Sequence, residues 1–114
     1  MDSGPNEQCY FVGDWLIKKG REQEFKTVWT DFVQWTLDRK LGEGEINLYQ
    51  DLGEPRRFYA LWRCGPEHSV EQWTRETRYK EFVMRMRAFC EKCTPTIATS
   101  VRSVSPPVEE EKGT

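Results

Sequence analysis

The sequence predicts a single α+β domain whose elements follow the order βαββαβ. Two amphipathic helices are each preceded by a β-rich segment, and the chain contains five tryptophans among 114 residues. A chain of this length suits one domain with one core, because it buries roughly two thirds of its unfolded surface on folding. These observations indicate one sheet, one layer of helices and an aromatic interior.

The first strand and the first helix have the clearest patterns. Residues 10–17 are rich in aromatic and β-branched side chains and are followed by Gly20, which is typical of a strand that ends in a turn. Residues 22–39 place apolar side chains on one helical face, and we expect Gly42 and Gly44 to end this helix. The apolar positions of this face are Phe25, Val28, Trp29, Phe32, Val33 and Trp35.

A short strand expected at residues 46–49 completes a first strand, helix, strand unit, and the second half repeats this order. Its first strand is expected at residues 58–64. Ser69 and Gln72 form a capping box flanked by His68 and Trp73, so a helical turn is expected to start at Ser69. We expect Thr77 to cap the next helix. Its apolar positions are Tyr79, Phe82, Val83, Met86, Phe89, Cys90 and Cys93, with Pro95 ending it, and Ile97, Val101 and Val104 mark the last strand.

Right-handed crossovers between these elements give a ferredoxin-like split sheet with both helices on one face. The other face would then be uncovered. Its apolar candidates are Trp15 or its neighbours on the first strand and Trp62 or Leu61 on the third. A two-fold interface buries the same patch on both copies, so the sequence predicts a homodimer.

Composition limits the compartment and the partners. Residues 1–8 and 105–114 are polar or acidic and are expected to be disordered, which leaves residues 9–104 as the folded domain. A net charge of -2 and a pI near 5.5 disfavour nucleic acid and anionic membranes as partners. The sequence shows neither a secretory signal nor an apolar run of about 20 residues, so we expect a cytoplasmic protein with reduced cysteines.

The four cysteines allow two interpretations. Cys90 and Cys93 have C-x-x-C spacing, and the end of the last helix is expected near Cys9, so three thiolates could bind zinc. Cys64 and His68 are expected at the opposite end of the sheet. The simpler interpretation is that the thiols are buried and structural, with no metal bound.

Several segments resemble the antibiotic biosynthesis monooxygenase (ABM) domains. Residues 15–25, with Trp29 one turn later, resemble the opening of these domains. The later residues that carry the resemblance are Asp51, Leu52, Pro55, Arg57, Phe58, Trp62, Ser69, Glu71, Trp73, Tyr79 and Phe82. The resemblance covers about nine tenths of the chain and implies a dimeric α+β barrel with a cavity between the sheet and the helices of each subunit.

The resemblance implies two activities. Some ABM proteins are cofactor-independent monooxygenases of polycyclic phenols, and related ones bind and degrade haem. Where the haem-degrading type carries a ligating histidine this chain has Val83, and where it carries an asparagine on the first strand this chain has Gly13 or Asp14. Haem ligation would therefore lack its imidazole, and no cofactor is expected.

Oxidation of a phenol needs a base, a dry aromatic cavity and donors that hold the substrate oxygens. Asp14, in an otherwise apolar strand, is a candidate base if burial raises its pKa, and His68 could transfer a proton. Asn47 and Arg63 could orient a carbonyl or phenolate. The residues expected to line a slot for an aromatic ligand are Trp29, Trp62, Trp73, Tyr79 and Phe82.

Each of these candidates also has a structural interpretation. Asp14 could face solvent or pair with an arginine, His68 could simply flank a helix start, and the aromatic residues could form an ordinary core. Two functions follow. A monooxygenase of a small aromatic or quinol substrate requires a closed cavity near Trp73 with a polar group of shifted pKa. A homodimeric ligand-binding module would have the cavity filled by side chains, or would lack convergent polar groups.

Overall fold

The computed structural model describes residues 8–107, and a four-stranded sheet forms its base. The elements are β1 (Gln8–Ile17), α1 (Glu22–Asp38), β2 (Tyr49–Gln50), β3 (Arg57–Pro66), α2 (Glu67–Arg75), α3 (Thr77–Ala88) and β4 (Cys90–Thr99). The strands lie in the order β2-β3-β1-β4, and every neighbouring pair is antiparallel. This arrangement confirms the predicted split βαββαβ fold. Within one chain the sheet is open, with β2 and β4 at its edges.

Alternation along β1 decides which side chains face the helices. The odd-numbered residues of β1 are buried beneath the helices and the even-numbered ones are half-buried on the other face. In β3 the residues that share the buried face are Phe58, Ala60, Trp62 and Cys64. Trp15 and Trp62 therefore belong to the core, whereas Leu61 and the neighbours of Trp15 lie on the outer face of the sheet.

Helix α1 begins at Glu22 as predicted, but its end does not depend on Gly42 or Gly44. Lys40 has a left-handed backbone with φ of 61°, which turns the chain directly after the helix. The Lys40 N–H donates to the Leu37 carbonyl at 2.8 Å, and the Leu41 N–H donates to the Thr36 carbonyl at 3.1 Å. These two bonds form a Schellman motif with lysine in the position that usually holds glycine.

The two later helices begin earlier than predicted. Helix α2 begins at Glu67 after Pro66, so Ser69 lies inside the helix and the predicted capping box is wrong. Thr77 is the first residue of α3 rather than its cap, and Glu76 occupies the capping position without a side-chain hydrogen bond. Each helix starts directly after a residue with an extended backbone, which is Pro66 for α2 and Glu76 for α3.

The prediction that the last helix continues to Pro95 is wrong. Helix α3 ends at Ala88, and residues 90–99 form a strand that pairs along the length of β1. Pro95 is accommodated because β4 is an edge strand, where a missing N–H does not interrupt a ladder on both sides. Ile97 lies in the strand as predicted, but Val101 and Val104 lie beyond it and are exposed, so the predicted position of the last strand is wrong at its end.

The chain ends were predicted to be disordered. Gln8 instead belongs to β1, and residues 105–107 have no regular secondary structure. The rest of that prediction falls on residues 1–7 and 108–114, which lie outside the described residues. Within residues 8–107, no helix combines the length and the apolar character that are needed to cross a membrane.

Candidate ligand site

The space between the sheet and the helices is occupied by a cluster of aromatic rings. Phe32 of α1 lies at its centre and contacts six other rings with centroid distances between 5.7 and 6.5 Å. These partners are Phe11, Trp35, Trp62, Trp73, Tyr79 and Phe82. We call these seven residues the aromatic cluster. Four of the five predicted slot residues are in it, and Trp29, also buried, lies one turn before Phe32 on the same helix.

Trp73 is fully buried within the aromatic cluster. Its ring stacks on Phe32 with a centroid distance of 5.8 Å, and the ring of Tyr79 meets it edge-on at 4.8 Å. Such offset and edge-to-face contacts add about 0.5–1.5 kcal/mol per pair beyond the area they bury. Trp73 is thus held firmly by the core, although its helix begins at the protein surface.

Trp73 also forms part of the wall of a cleft of about 400 Å³ between the end of α1 and α2. The other walls are mostly polar and include Arg39, Ser69, Gln72 and Glu76. The Arg39 guanidinium and the Glu76 carboxylate form an ion pair in this wall, and the pair raises the pKa of Arg39. The cleft is open to solvent, whereas the enzymatic hypothesis requires a closed cavity.

Four buried indole N–H groups have no hydrogen-bond partner to nitrogen or oxygen among the described residues. They belong to Trp15, Trp29, Trp62 and Trp73, and the Trp15 indole faces the Cys93 sulfur. A buried donor without a partner costs about 1–3 kcal/mol, so native proteins keep few of them. Trp62 and Trp73 place two such donors in the aromatic cluster, and of these two residues Trp73 lies in the wall of the cleft.

Tyr79 is the polar group with a shifted pKa that lies beside Trp73. Burial raises the pKa of Tyr79 to about 12, and the nearby thiols of Cys64 and Cys93 contribute in the same direction. At neutral pH its phenol is protonated and can donate a hydrogen bond, but it cannot act as a base. Tyr79 therefore lies beside Trp73 as a hydrogen-bond donor.

Asp14 lies on the opposite face of the sheet from the aromatic cluster. Its carboxylate accepts two hydrogen bonds from the Arg57 guanidinium, at 3.2 and 3.3 Å, and its side chain is 40% exposed. The expectation that strand burial desolvates Asp14 is therefore wrong, because β1 alternation directs the even-numbered residues to the outer face. The geometry agrees with the simpler interpretation of an arginine-paired carboxylate.

The other predicted polar site residues are dispersed. His68 is exposed on the first turn of α2. Asn47 is exposed in the segment before β2, and its amide donates to the Tyr49 hydroxyl at 3.4 Å. Arg63 lies on the outer face and pairs with Glu43 at 3.4 Å. The structure brings none of these three to the aromatic cluster, because strand alternation and the surface position of α2 point them elsewhere.

The cysteines do not occupy the predicted positions. Cys9 and Cys90 lie near opposite ends of β1, because Cys9 is in register with Thr99 and Cys90 with Ile17. The grouping of Cys9 with Cys90 and Cys93 is therefore wrong. Cys64 lies beside Cys9 instead of at the far end, since antiparallel pairing sets Cys9 opposite Gly65. Within the described residues, no cluster of three or more potential metal-binding side chains occurs.

Three members of the aromatic cluster, Phe11, Phe32 and Trp35, were not predicted from the sequence to belong to the site. Phe32 is the centre of the aromatic cluster, and Phe11 stacks on Trp62 with a centroid distance of 4.4 Å. Two signals were present in the sequence. Phe11 is four residues before Trp15, so both share one strand face, and Phe32 is three residues after Trp29 on the apolar face of the helix.

Comparison with known proteins relates the fold to solved structures. No protein-family model matches the sequence. No curated protein matches it either. The fold is similar to SnoaB, a cofactor-independent oxygenase from Streptomyces nogalater, with a TM-score of 0.72 and 11% identity over 88% of this chain and 99% of SnoaB.

Two further structures have similar scores. A conserved protein from Methanosarcina mazei has a TM-score of 0.71 and 21% identity over 83% of this chain and 94% of its own. A protein from Caulobacter crescentus, named as a candidate antibiotic biosynthesis monooxygenase, has a TM-score of 0.71 and 12% identity over 86% of this chain and 93% of its own. At these identities the likeness shows the fold alone, and this chain has the α+β fold of the ABM proteins.

Proposed function

We propose that this protein is a cofactor-independent monooxygenase of a small aromatic or quinol substrate. The observation that carries the proposal is the pair of unpartnered indole N–H groups of Trp62 and Trp73 within the aromatic cluster. Planar rings favour an aromatic substrate, and the indole donors favour one that carries oxygen atoms. The fold, which is similar to that of the oxygenase SnoaB, supports the same class of reaction.

The site would promote oxidation by stabilising an electron-rich form of the substrate. A phenol or quinol reacts with dioxygen more readily after it loses a proton, and hydrogen bonds to a phenolate oxygen lower the pKa of the phenol. The indole N–H of Trp73 and the protonated phenol of Tyr79 are the donors that would serve this purpose. Entry would be from the cleft beside Trp73.

A second candidate function is a ligand-binding module without catalysis. The observation that favours it is the dispersal of the predicted acid–base residues, with Asp14 on the outer face and His68 exposed. A binding module needs the aromatic rings and the donors but needs no base. The two functions differ in one measurable property, which is turnover of dioxygen.

The test is oxygen consumption with a panel of quinols and anthrones. The Trp73→Phe variant keeps a ring but removes the donor, so we expect kcat/KM to fall at least about tenfold, the value of one hydrogen bond to a charged oxygen. Trp29→Phe is the matched control, because it also removes a buried indole N–H without a partner but Trp29 lies outside the aromatic cluster. It should stay within about twofold of the native rate.

The outcomes separate the two functions. Oxygen uptake that Trp73→Phe lowers and Trp29→Phe does not lower supports the monooxygenase. Saturable binding of a quinol without oxygen uptake supports the binding module. Oxygen uptake that neither variant changes contradicts the site that is proposed here.

We also propose that the protein is a homodimer that pairs through the outer face of the sheet. Val12 and Leu61 stand opposite each other on this face, and the Leu61 side chain is 59% exposed. A Leu61→Glu variant should sediment as a monomer, because it places a charge in the apolar interface. Met84→Glu is the control, since Met84 is also an exposed apolar residue, at 67%, but lies on α3. A native protein that sediments as a monomer contradicts this proposal.

A further inference from the structure

A β-bulge in β4 places Cys90 and Cys93 on the same face of the sheet. Residues three apart on a regular strand point to opposite faces. Here Cys93 is in register with Trp15 and Cys90 with Ile17, while Glu91 has no partner on β1. The extra residue shifts Cys90 to the face of Trp15 and Ile17, so that both thiols point towards the helices.

An arginine holds this bulge in place. The Arg56 guanidinium donates to the Ile17 carbonyl at 3.1 Å and to the Glu91 carboxylate at 3.0 Å. It thereby connects the bulged residue of β4 to the end of β1. Because a side chain from a third segment fixes this bulge, the bulge is a defined part of the sheet and not a local irregularity.

The two thiols contact each other without being joined by a disulfide. The Cys90 sulfur lies 3.1 Å from the Met86 carbonyl oxygen, to which its proton can be donated. The same single proton can instead be donated to the Cys93 sulfur. Cys90 is 7% exposed and Cys93 is half-buried, so reagents in solution reach Cys93 more easily.

The surroundings favour a thiolate at Cys93 and a thiol at Cys90. The hydrogen bond from Cys90 lowers the pKa of Cys93, and the Arg87 guanidinium and the Trp15 indole act in the same direction, against the opposing effect of burial. The same hydrogen bond, together with burial, raises the pKa of Cys90, while the charges of Arg87 and Lys18 oppose this. Cys64 differs from Cys93, because burial raises the pKa of its thiol to about 12.

We propose that Cys90 and Cys93 form a peroxide-reactive dithiol site, in which Cys93 is the attacking sulfur and Cys90 the resolving one. The Cys93 thiolate attacks a hydroperoxide, the O–O bond breaks, and an alkoxide or hydroxide leaves and takes a proton from water. Cys93 is then a sulfenic acid. Cys90 attacks its sulfur, the S–O bond breaks, and the hydroxide leaves with the Cys90 proton as water. The two thiols lose two electrons and the peroxide gains them.

The experiment uses the full chain, reduced and then treated with hydrogen peroxide at neutral pH. Lys92 lies between the two cysteines, so trypsin separates residues 88–92 from residues 93–102 unless a disulfide joins them. We expect a linked pair of these two peptides, lighter by two hydrogen atoms and separated by a reducing agent. A disulfide between Cys9 and Cys64, or no linked peptide, overturns the proposal.

Variants assign the roles. Cys90→Ser should accumulate a sulfenic acid at Cys93 that dimedone traps, and Cys93→Ser should give no linked peptide and at least tenfold less dimedone adduct. Cys64→Ser is the matched control, because Cys64 is also buried on the helix-facing side, and it should form the linked peptide like the native chain. Dimedone adduct at Cys90 in the Cys93→Ser variant at the level of Cys93 would overturn the assignment.

A measurement on the native chain avoids variants that fail to fold. Iodoacetamide should label Cys93 before the other three cysteines, with a rate that rises with pH to a midpoint below that of an unperturbed thiol, about 8.5. Equal labelling of the four cysteines, or a midpoint at or above the unperturbed value, contradicts the proposal.

Discussion

Gly13 is a position where the absence of a side chain determines how a large neighbour packs. A Cβ atom at Gly13 would lie 2.2 Å from the ring of Trp15, which covers this glycine. Trp15 is fully buried and contacts Phe25 with a centroid distance of 5.2 Å, so its ring has little room to move. The glycine and the tryptophan therefore act as one packing unit on the helix-facing side of β1.

We predict that Gly13→Ala destabilises the protein. Overpacking of a tight core costs about 1–3 kcal/mol, and urea unfolding should show a loss of this size in the free energy of unfolding. Gly53→Ala is the control, because a Cβ there meets only Asp51 at an ordinary distance of 3.4 Å, and it should change the free energy by less than about 0.5 kcal/mol. Equal effects of the two substitutions would show that Trp15 does not hold its position.

Among the elements, those whose apolar residues repeat along one face were predicted best. Strand β1 and helix α1 have clear apolar periods, and the structure places both within two residues of the predicted bounds. The segment after α3 was assigned wrongly, because Cys90 and Cys93 continue the apolar rhythm of the helix while the chain already pairs with β1. Long-range pairing overrode a local helical pattern there.

The end of α1 gives a prediction at the scale of the element. Lys40 adopts φ of 61°, which is unfavourable for any residue with a Cβ. Lys40→Gly should raise the free energy of unfolding by about 0.5–1 kcal/mol. The backbone strain that it removes is larger in free energy than the conformational entropy that glycine adds to the unfolded chain. Lys40→Ala should give no such gain, because it removes the charge but keeps the Cβ. A gain in both variants would assign the effect to charge.

At the scale of the whole molecule, the buried thiol of Cys64 and the half-buried phenol of Tyr79 couple folding to pH. Burial raises the pKa of Cys64 to about 12 from 9.0 and that of Tyr79 to about 12 from 10.0. In the unfolded chain both groups ionise at their ordinary pKa, so the unfolded state loses protons that the folded state still holds. Their contribution to stability is complete below about pH 9 and is lost as the pH rises towards 12.

We predict that the free energy of unfolding falls between about pH 9 and pH 12, by at most about 1.4 kcal/mol per pH unit for each group. Tyr79→Phe removes one of the two ionisations while keeping the ring, so its stability should fall less steeply above pH 10. Urea unfolding at a series of pH values measures both slopes. Parallel curves for the native chain and Tyr79→Phe would contradict a protonated, half-buried Tyr79.

The sequence by itself determined the fold class, the order of the elements and most of the aromatic interior, because these follow from the periodic spacing of apolar residues within each segment. Only the tertiary structure decided which polar residues meet. Alternation of β1 set Asp14 on the outer face beside Arg57, and a bulge at Glu91 set Cys90 beside Cys93. Both contacts depend on strand register, which is fixed by pairing between distant segments. A shift of the register by one residue turns each side chain to the other face of the sheet.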